Sequence, residues 1–214
     1  KGITDIPFEL PAGFGMPAFR KSHPIGRIPV LDIDGDMLPE SDVIAEYLEE
    51  VYPTPSLLGA SARENAQIRL LARIGDIYLM NNLFTLSGQT YVQPRNEGMI
   101  EFLAAQVLRN LKALESMIDG GGGFGCSGRV TLADTALVPR LFLVENCLPT
   151  TGGENPIPSH PKVAAYWAAI QKNEHAARVL EELHRGLAER VALIKSGAFA
   201  KMMAAAGAGA EAEA

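Results

Sequence analysis

Residues 26–41, Gly26-Arg27-Ile28-Pro29-Val30-Leu31-Asp32-Ile33-Asp34-Gly35-Asp36-Met37-Leu38-Pro39-Glu40-Ser41, decide how the rest of the chain is read. Ile28, Val30, Leu31 and Ile33 supply the β-branched and apolar run that a buried strand wants. Asp34-Gly35 is the strongest short hairpin signal, so a second short strand follows it. Ser41 makes a good N-cap for a helix whose apolar positions, Val43, Ile44, Tyr47, Leu48 and Val51, share one face at helical spacing. An acid and a hydroxyl therefore sit where a helix presents unpaired N–H groups and the positive end of its dipole, a seat suited to a carboxylate.

Upstream of this stretch, Lys1-Gly2-Ile3 reads as the end of a helix with Gly2 left-handed after it. Ile6, Phe8 and Leu10 alternate as a short strand that Pro7 limits to an edge or to its first residues. Pro17 to Arg20 form a short helical piece, closed by His23-Pro24. A lone loop histidine serves either a ligand carboxylate or only the solvent, and its charge changes near neutral pH.

Downstream, Tyr52-Pro53-Thr54-Pro55-Ser56 breaks the helix twice, which sets a linker at 53–60. From Ser61 the pattern is helical throughout. Over 61–89, Ile68, Leu71, Gly75 and Tyr78 form one stripe, with Leu70, Ile74 and Ile77 beside it. Over 94–118, Ile100, Leu103, Val107, Leu111, Leu114 and Ile118 follow the 3.6 period. Gly120 to Gly123 end that helix. Thr131 and Asp134 make a capping box for the next one, in which Pro139 falls near the eighth position and predicts a kink. His160-Pro161 begins a helix through Trp167 and Ile170. Leu180, Leu183, Leu187, Val191 and Ile194 continue helical stripes, interrupted at Gly186. Residues 204–214 are only Ala, Gly and Glu, a frayed or disordered end with nothing to bury.

The chain has 214 residues, 47% hydrophobic and 21% charged, an ordinary globular composition. Its net charge of −6 argues against a nucleic-acid surface. No apolar run approaches the roughly 20 residues that span a bilayer. Two cysteines, Cys126 and Cys147, form neither a disulfide framework nor a metal spacing, which points to the cytoplasm, to no metal, and to ordinary buried thiols.

Two motifs together carry a family resemblance. Pro24-Ile25-Gly26-Arg27-Ile28-Pro29-Val30-Leu31, followed about ten residues on by Glu40-Ser41-Asp42-Val43-Ile44-Ala45-Glu46-Tyr47-Leu48, resembles the glutathione-binding half of the glutathione S-transferase family, bacterial-type and cytosolic. The resemblance implies an α/β plus all-α fold. Residues 1–52 would be a thioredoxin-like glutathione-binding domain whose first strand and helix are missing. Residues 53–60 would link it to an all-helical domain at 61–197, with a low-complexity tail at 198–214. The catalytic Tyr, Ser or Cys of the family lies in the missing segment, so the catalytic residue stays unknown.

The resemblance also implies a site. Ser41 would take the γ-glutamyl carboxylate of glutathione and Glu40 would face its amine. Pro29, cis in the family, would turn the strand so that Ile28 offers its backbone to the cysteinyl unit, and Arg27 would reach the glycyl carboxylate. Taken singly, Ser41 is a cap, Arg27 a surface charge and Pro29 a turn. Their order along the chain makes the joint reading the stronger one. In the family an Asn commonly stands where His23 does. Asp76 would cross a homodimer interface to the partner's ligand, or pair with Arg73 on the surface. Tyr78, Met80 and Phe84 would line a pocket for an apolar electrophile, or belong to the core. The implied activity is conjugation of the glutathione thiol, as co-substrate, to an electrophilic small molecule. The alternatives are a catalytically silent binding or scaffold protein, and a thiol-transferase if the missing residue is Cys.

Overall fold

The computed structural model describes residues 1–9, 19–20, 23–89, 94–119 and 123–198. Two compact units divide it: Lys1–Pro55 together with the residues from His184 onward, and Ser56–Leu183.

In the first unit, β1 (Val30–Ile33) and β2 (Asp36–Pro39) pair antiparallel, with Val30 opposite Pro39 and Ile33 opposite Asp36. Asp34 and Gly35 take φ of 54° and 97°, the left-handed pair that a two-residue hairpin turn demands. The Asp32 carboxylate locks the turn by accepting the Gly35 N–H at 2.7 Å. Helix α1 (Ser41–Val51) follows, burying Ile44 and half-burying Tyr47 and Leu48. Its last turn is tied to the chain start. The Lys1 ammonium lies 2.6 Å from the buried Glu49 carboxylate and donates to the carbonyls of Tyr52 and Pro55, a cation at the negative end of a helix.

Residues 1–9 form neither a helix end nor a strand. Gly2 is left-handed as expected. Phe8, however, is 95% exposed and no strand among the described residues pairs with this segment, so alternation alone does not make a ladder. The proposed helical piece at 17–20 is described only at Phe19 and Arg20, which are helical, and Leu10 and residues 199–214 lie outside the described residues.

The second unit is helical. Helix α2 (Ala62–Arg73) runs into a π-helical segment (Ile74–Met80) and then α3 (Asn81–Gln89). The expected α-helical stripe is corrected here. A π turn takes more residues than an α turn, so the buried series becomes Ile68, Leu71, Gly75, Leu79, Leu83 and Leu86, and Tyr78 rotates out to 52% exposure. The helices cross closely at Gly75, where a Cβ would come within 3.3 Å of the Leu137 side chain.

Helix α4 (Glu97–Met117) buries Ile100, Leu103, Val107, Leu111 and Leu114, with Ile118 just beyond it, as its period predicts. Helix α5 (Leu132–Cys147) continues unbroken through Pro139 and is buried at eleven of sixteen residues, which marks it as the centre of the unit. It packs on α2, α3, the π segment and α6 (Pro161–Ile170). The Glu115 carboxylate of α4 caps α6, accepting the N–H groups of Lys162 at 3.0 Å and Val163 at 2.9 Å. Helix α7 (Glu174–Lys195) continues past Gly186 without interruption, since one glycine costs only about 1 kcal/mol in a helix.

Candidate functional site

The hairpin register brings the two motifs together. Pro29 precedes β1 and Glu40-Ser41 follow β2, so the Val30–Pro39 pair sets both at the open end of the same hairpin. The Ile28–Pro29 peptide is cis, and Ile28 is 43% exposed at this edge.

Ser41 is not the N-cap. Glu40 takes that position, with φ 74° and ψ 110°, and its carbonyl accepts the first intrahelical bond from Ile44 at 2.9 Å. The chain leaves β2 at Pro39 and must reverse within one residue, so the helix starts one residue earlier than its side chains suggest. A positive φ on a glutamate costs on the order of 1 kcal/mol or more and persists only where the surroundings impose it, a habit of ligand sites. Ser41 becomes the first helical residue, exposed, with no capping duty for its hydroxyl. The N–H groups of Ser41, Asp42 and Val43 precede the first i to i−4 bond and face out of the helix end.

Against Val30, Met37 and Pro39 of the hairpin lies a small hollow of about 50 Å³, room for a carboxylate rather than a whole tripeptide. His23 and Arg27 supply its polar wall, and Val30, Met37 and Pro39 much of the apolar one. His23 is held by its neighbours in the loop. Its ring stacks on the buried Phe19 at 4.3 Å between centroids and 10° between planes, its N–H donates to the Phe19 carbonyl, and its carbonyl accepts from Gly26. Arg27 thus lines the hollow, while Ile28, Pro29, Glu40 and Ser41 stand at the hairpin end.

The other four residues singled out in the sequence belong to the second unit, three on the π segment and one on α3. Tyr78 and Phe84 are 52% and 57% exposed and Met80 is half-buried. The Tyr78 carbonyl accepts from Asn82 at 2.6 Å and from the buried Asn110 of α4 at 2.8 Å, which anchors the widened turn. Asp76 pairs with Arg73 at 3.7 Å, the surface pair that the spacing allowed. Its shorter partner is Arg140 of α5, at 2.9 Å.

Sequence reasoning missed Arg140, because nothing local marks a pairing across 64 residues. Arg140 is buried, and its Nε has no hydrogen-bond partner among the described residues. Arg140→Met is expected to cost about 1–3 kcal/mol, below the range for a fully buried pair because Asp76 is 27% exposed and keeps Arg73. Arg73→Ala should stay within about 0.5 kcal/mol, since that guanidinium is solvated. Urea denaturation of both variants separates the two.

Other titratable groups serve the fold. Burial pushes the Asp134 carboxyl up, despite donors from Gly125 and Thr131. Burial first, then the nearby Asp134 charge, pushes the Tyr166 hydroxyl well up. Burial also raises the Cys126 thiol, the opposite of a nucleophile's need, and both cysteines are buried and outside any disulfide. Among the described residues no group of three or more His, Cys, Asp or Glu could hold a metal ion. No helix among them is long and apolar enough to cross a membrane.

The comparisons with known proteins meet this geometry. The family model "Glutathione S-transferase, N-terminal domain" matches residues 3–56, the span that holds the hairpin and α1. A maleylacetoacetate isomerase of Pseudomonas aeruginosa is 36% identical over 133 residues, covering 61% of this chain and 62% of that protein. One of Rhizobium meliloti is 33% identical over 155 residues, 66% of this chain and 70% of that protein. The chain spans 58% of the corresponding Mus musculus protein. Among solved structures, a holo maleylpyruvate isomerase described as a bacterial zeta-class glutathione S-transferase is similar with a TM-score of 0.62, 26% identity and 76% coverage of each chain. The fold is therefore a thioredoxin-like α/β unit joined to an all-helical one. With 33% identity over 155 aligned residues that cover 70% of the Rhizobium meliloti protein, the chain belongs to the glutathione S-transferase family.

Proposed function

We propose that the chain binds reduced glutathione at the open end of its hairpin and directs the thiolate at an electrophilic carbon of a small acceptor. The observation that carries this reading is the Val30–Pro39 register, with the Ile28–Pro29 edge and the α1 terminus at one end of the hairpin. Glutathione needs donors for two carboxylates, an acid for its amine and a backbone edge for its central amide. Ser41 and the first N–H groups of α1 suit the γ-glutamyl carboxylate, Glu40 the amine, Ile28 the cysteinyl unit and Arg27 the glycyl carboxylate.

The thiolate is the reactive species, so the enzyme's central task is to lower the thiol's pKa. Addition forms an S–C bond and moves an electron pair of the acceptor onto a leaving group or a conjugated carbonyl oxygen. Loss of the leaving group completes a conjugation. If the acceptor is a cis alkene conjugated to a carbonyl, the adduct can rotate about its new single bond and expel the thiolate, giving the trans isomer and returning glutathione unchanged. The names of the relatives favour this second outcome for part of the family. Tyr78, Met80 and Phe84 are proposed as apolar acceptor contacts. A second copy of the chain is proposed as partner, as the family resemblance implies. Asp76, already held by Arg140, is the weaker candidate for a contact with the partner's ligand.

A calorimetric titration with reduced glutathione tests the binding step, and saturable heat at micromolar to millimolar ligand is expected. Two probes then separate the reactions: an activated chloronitroarene reads conjugation, and a maleyl ketone reads isomerisation without net loss of thiol. No saturable binding overturns the reading. Binding without turnover of either probe leaves a binding module in place of an enzyme.

A further inference from the structure

We propose that His23 is a second carboxylate-binding group of the hollow, beside Arg27, and that its protonation tunes the affinity for glutathione. The inference rests on the glutathione reading above and adds a residue and a pH dependence to it. A solvated loop histidine has no reason to be held, yet this one is fixed by three contacts. Its imidazole lies flat on Phe19, a ring only 3% exposed, and both its backbone groups are bonded within the turn. His23 is also one of the residues that line the hollow, together with Arg27.

The surroundings make that charge useful. The polar wall is His23 and Arg27, while β1 and β2 contribute Val30, Met37 and Pro39. From the preceding helical turn Arg20 approaches Gly26, with its Nε 3.2 Å from where a Cβ there would lie. No carboxylate lines the hollow among the described residues. An anion entering an apolar-walled space of this size loses most of its water, so each cation at the wall matters. Imidazole is the side chain whose charge ordinarily changes between about pH 5 and 8. Glutathione's carboxylates stay ionised throughout that range. A carboxylate that binds the protonated ring preferentially must therefore bind more weakly as the pH rises.

The test uses the whole chain and S-methylglutathione, whose thioether does not titrate, with affinity measured by calorimetry from about pH 5.5 to 7.5. The wild-type affinity is expected to fall by about fivefold to tenfold over that range. His23→Asn keeps a polar side chain without the charge and should be flat at the weak end. His23→Arg can still stack on Phe19 and is always charged, so it should be flat at the tight end. Circular dichroism confirms that each variant is folded. Parallel pH profiles for the wild type and His23→Asn overturn the inference and leave the glutathione reading standing. No binding by the wild type at any pH overturns both.

Discussion

Asp134→Ala is expected to lower the unfolding free energy by about 3–5 kcal/mol. The reason is the number of groups that depend on it. Its Oδ1 accepts the Gly125 N–H at 2.7 Å, and its Oδ2 accepts the Thr131 N–H at 2.8 Å and the Thr131 hydroxyl at 3.0 Å. All of this is buried, with Thr131 at 0% and Asp134 at 2% exposure.

Truncation leaves two backbone donors without acceptors, each worth about 1–3 kcal/mol, and removes the capping box of the central helix as well. A shift of about 10 °C in Tm follows for a protein of this size. Thr131→Val removes only the hydroxyl and keeps both backbone donors satisfied, so about 1 kcal/mol is expected there. Thermal and urea denaturation read both variants. A loss below 1 kcal/mol for Asp134→Ala would mean that the loop before α5 repairs the bonds by itself.

Ser41→Ala is expected to weaken glutathione binding at least tenfold, about 1.4 kcal/mol, while leaving stability within about 0.5 kcal/mol. The position of Ser41 is what separates the two effects. A serine at the N-cap would lose stability and affinity together, because its oxygen would serve the helix. Here Glu40 is the cap, and alanine is the better helix former at the first helical position. The hydroxyl is left to the ligand, and a hydrogen bond to a carboxylate is worth about 1.5–3 kcal/mol. Calorimetry with reduced glutathione and a thermal melt of the same sample decide the matter. Unchanged affinity would remove Ser41 from the site and leave the carboxylate to the backbone N–H groups alone.

Part of the candidate site was legible before any coordinates. Arg27, Ile28, Pro29, Glu40 and Ser41 fall in two short motifs, and the Asp-Gly turn between them fixes a register that brings their ends together. The identity of the cap was not legible, since it depends on how sharply the chain reverses after Pro39. Nor was the grip on His23: a stack on Phe19 is invisible in a histidine that reads as any loop residue.

What the amino-acid order determined by itself was a set of features that act within about four residues. The left-handed Asp34-Gly35 turn, the single buried stripe of α4, the Thr131–Asp134 box and the Pro161 helix start all belong here. Their energies come from neighbours whose separation is fixed by covalent geometry. The tertiary structure alone decided which distant groups meet: Lys1 with Glu49, Glu115 with the end of α6, and Arg140 with Asp76. It also decided the π turn that exchanges Tyr78 for Leu79 in the core, beside the crossing at Gly75. Such choices depend on the packing of whole helices against one another, and a spacing of 3.6 residues carries no information about a neighbour 64 positions away.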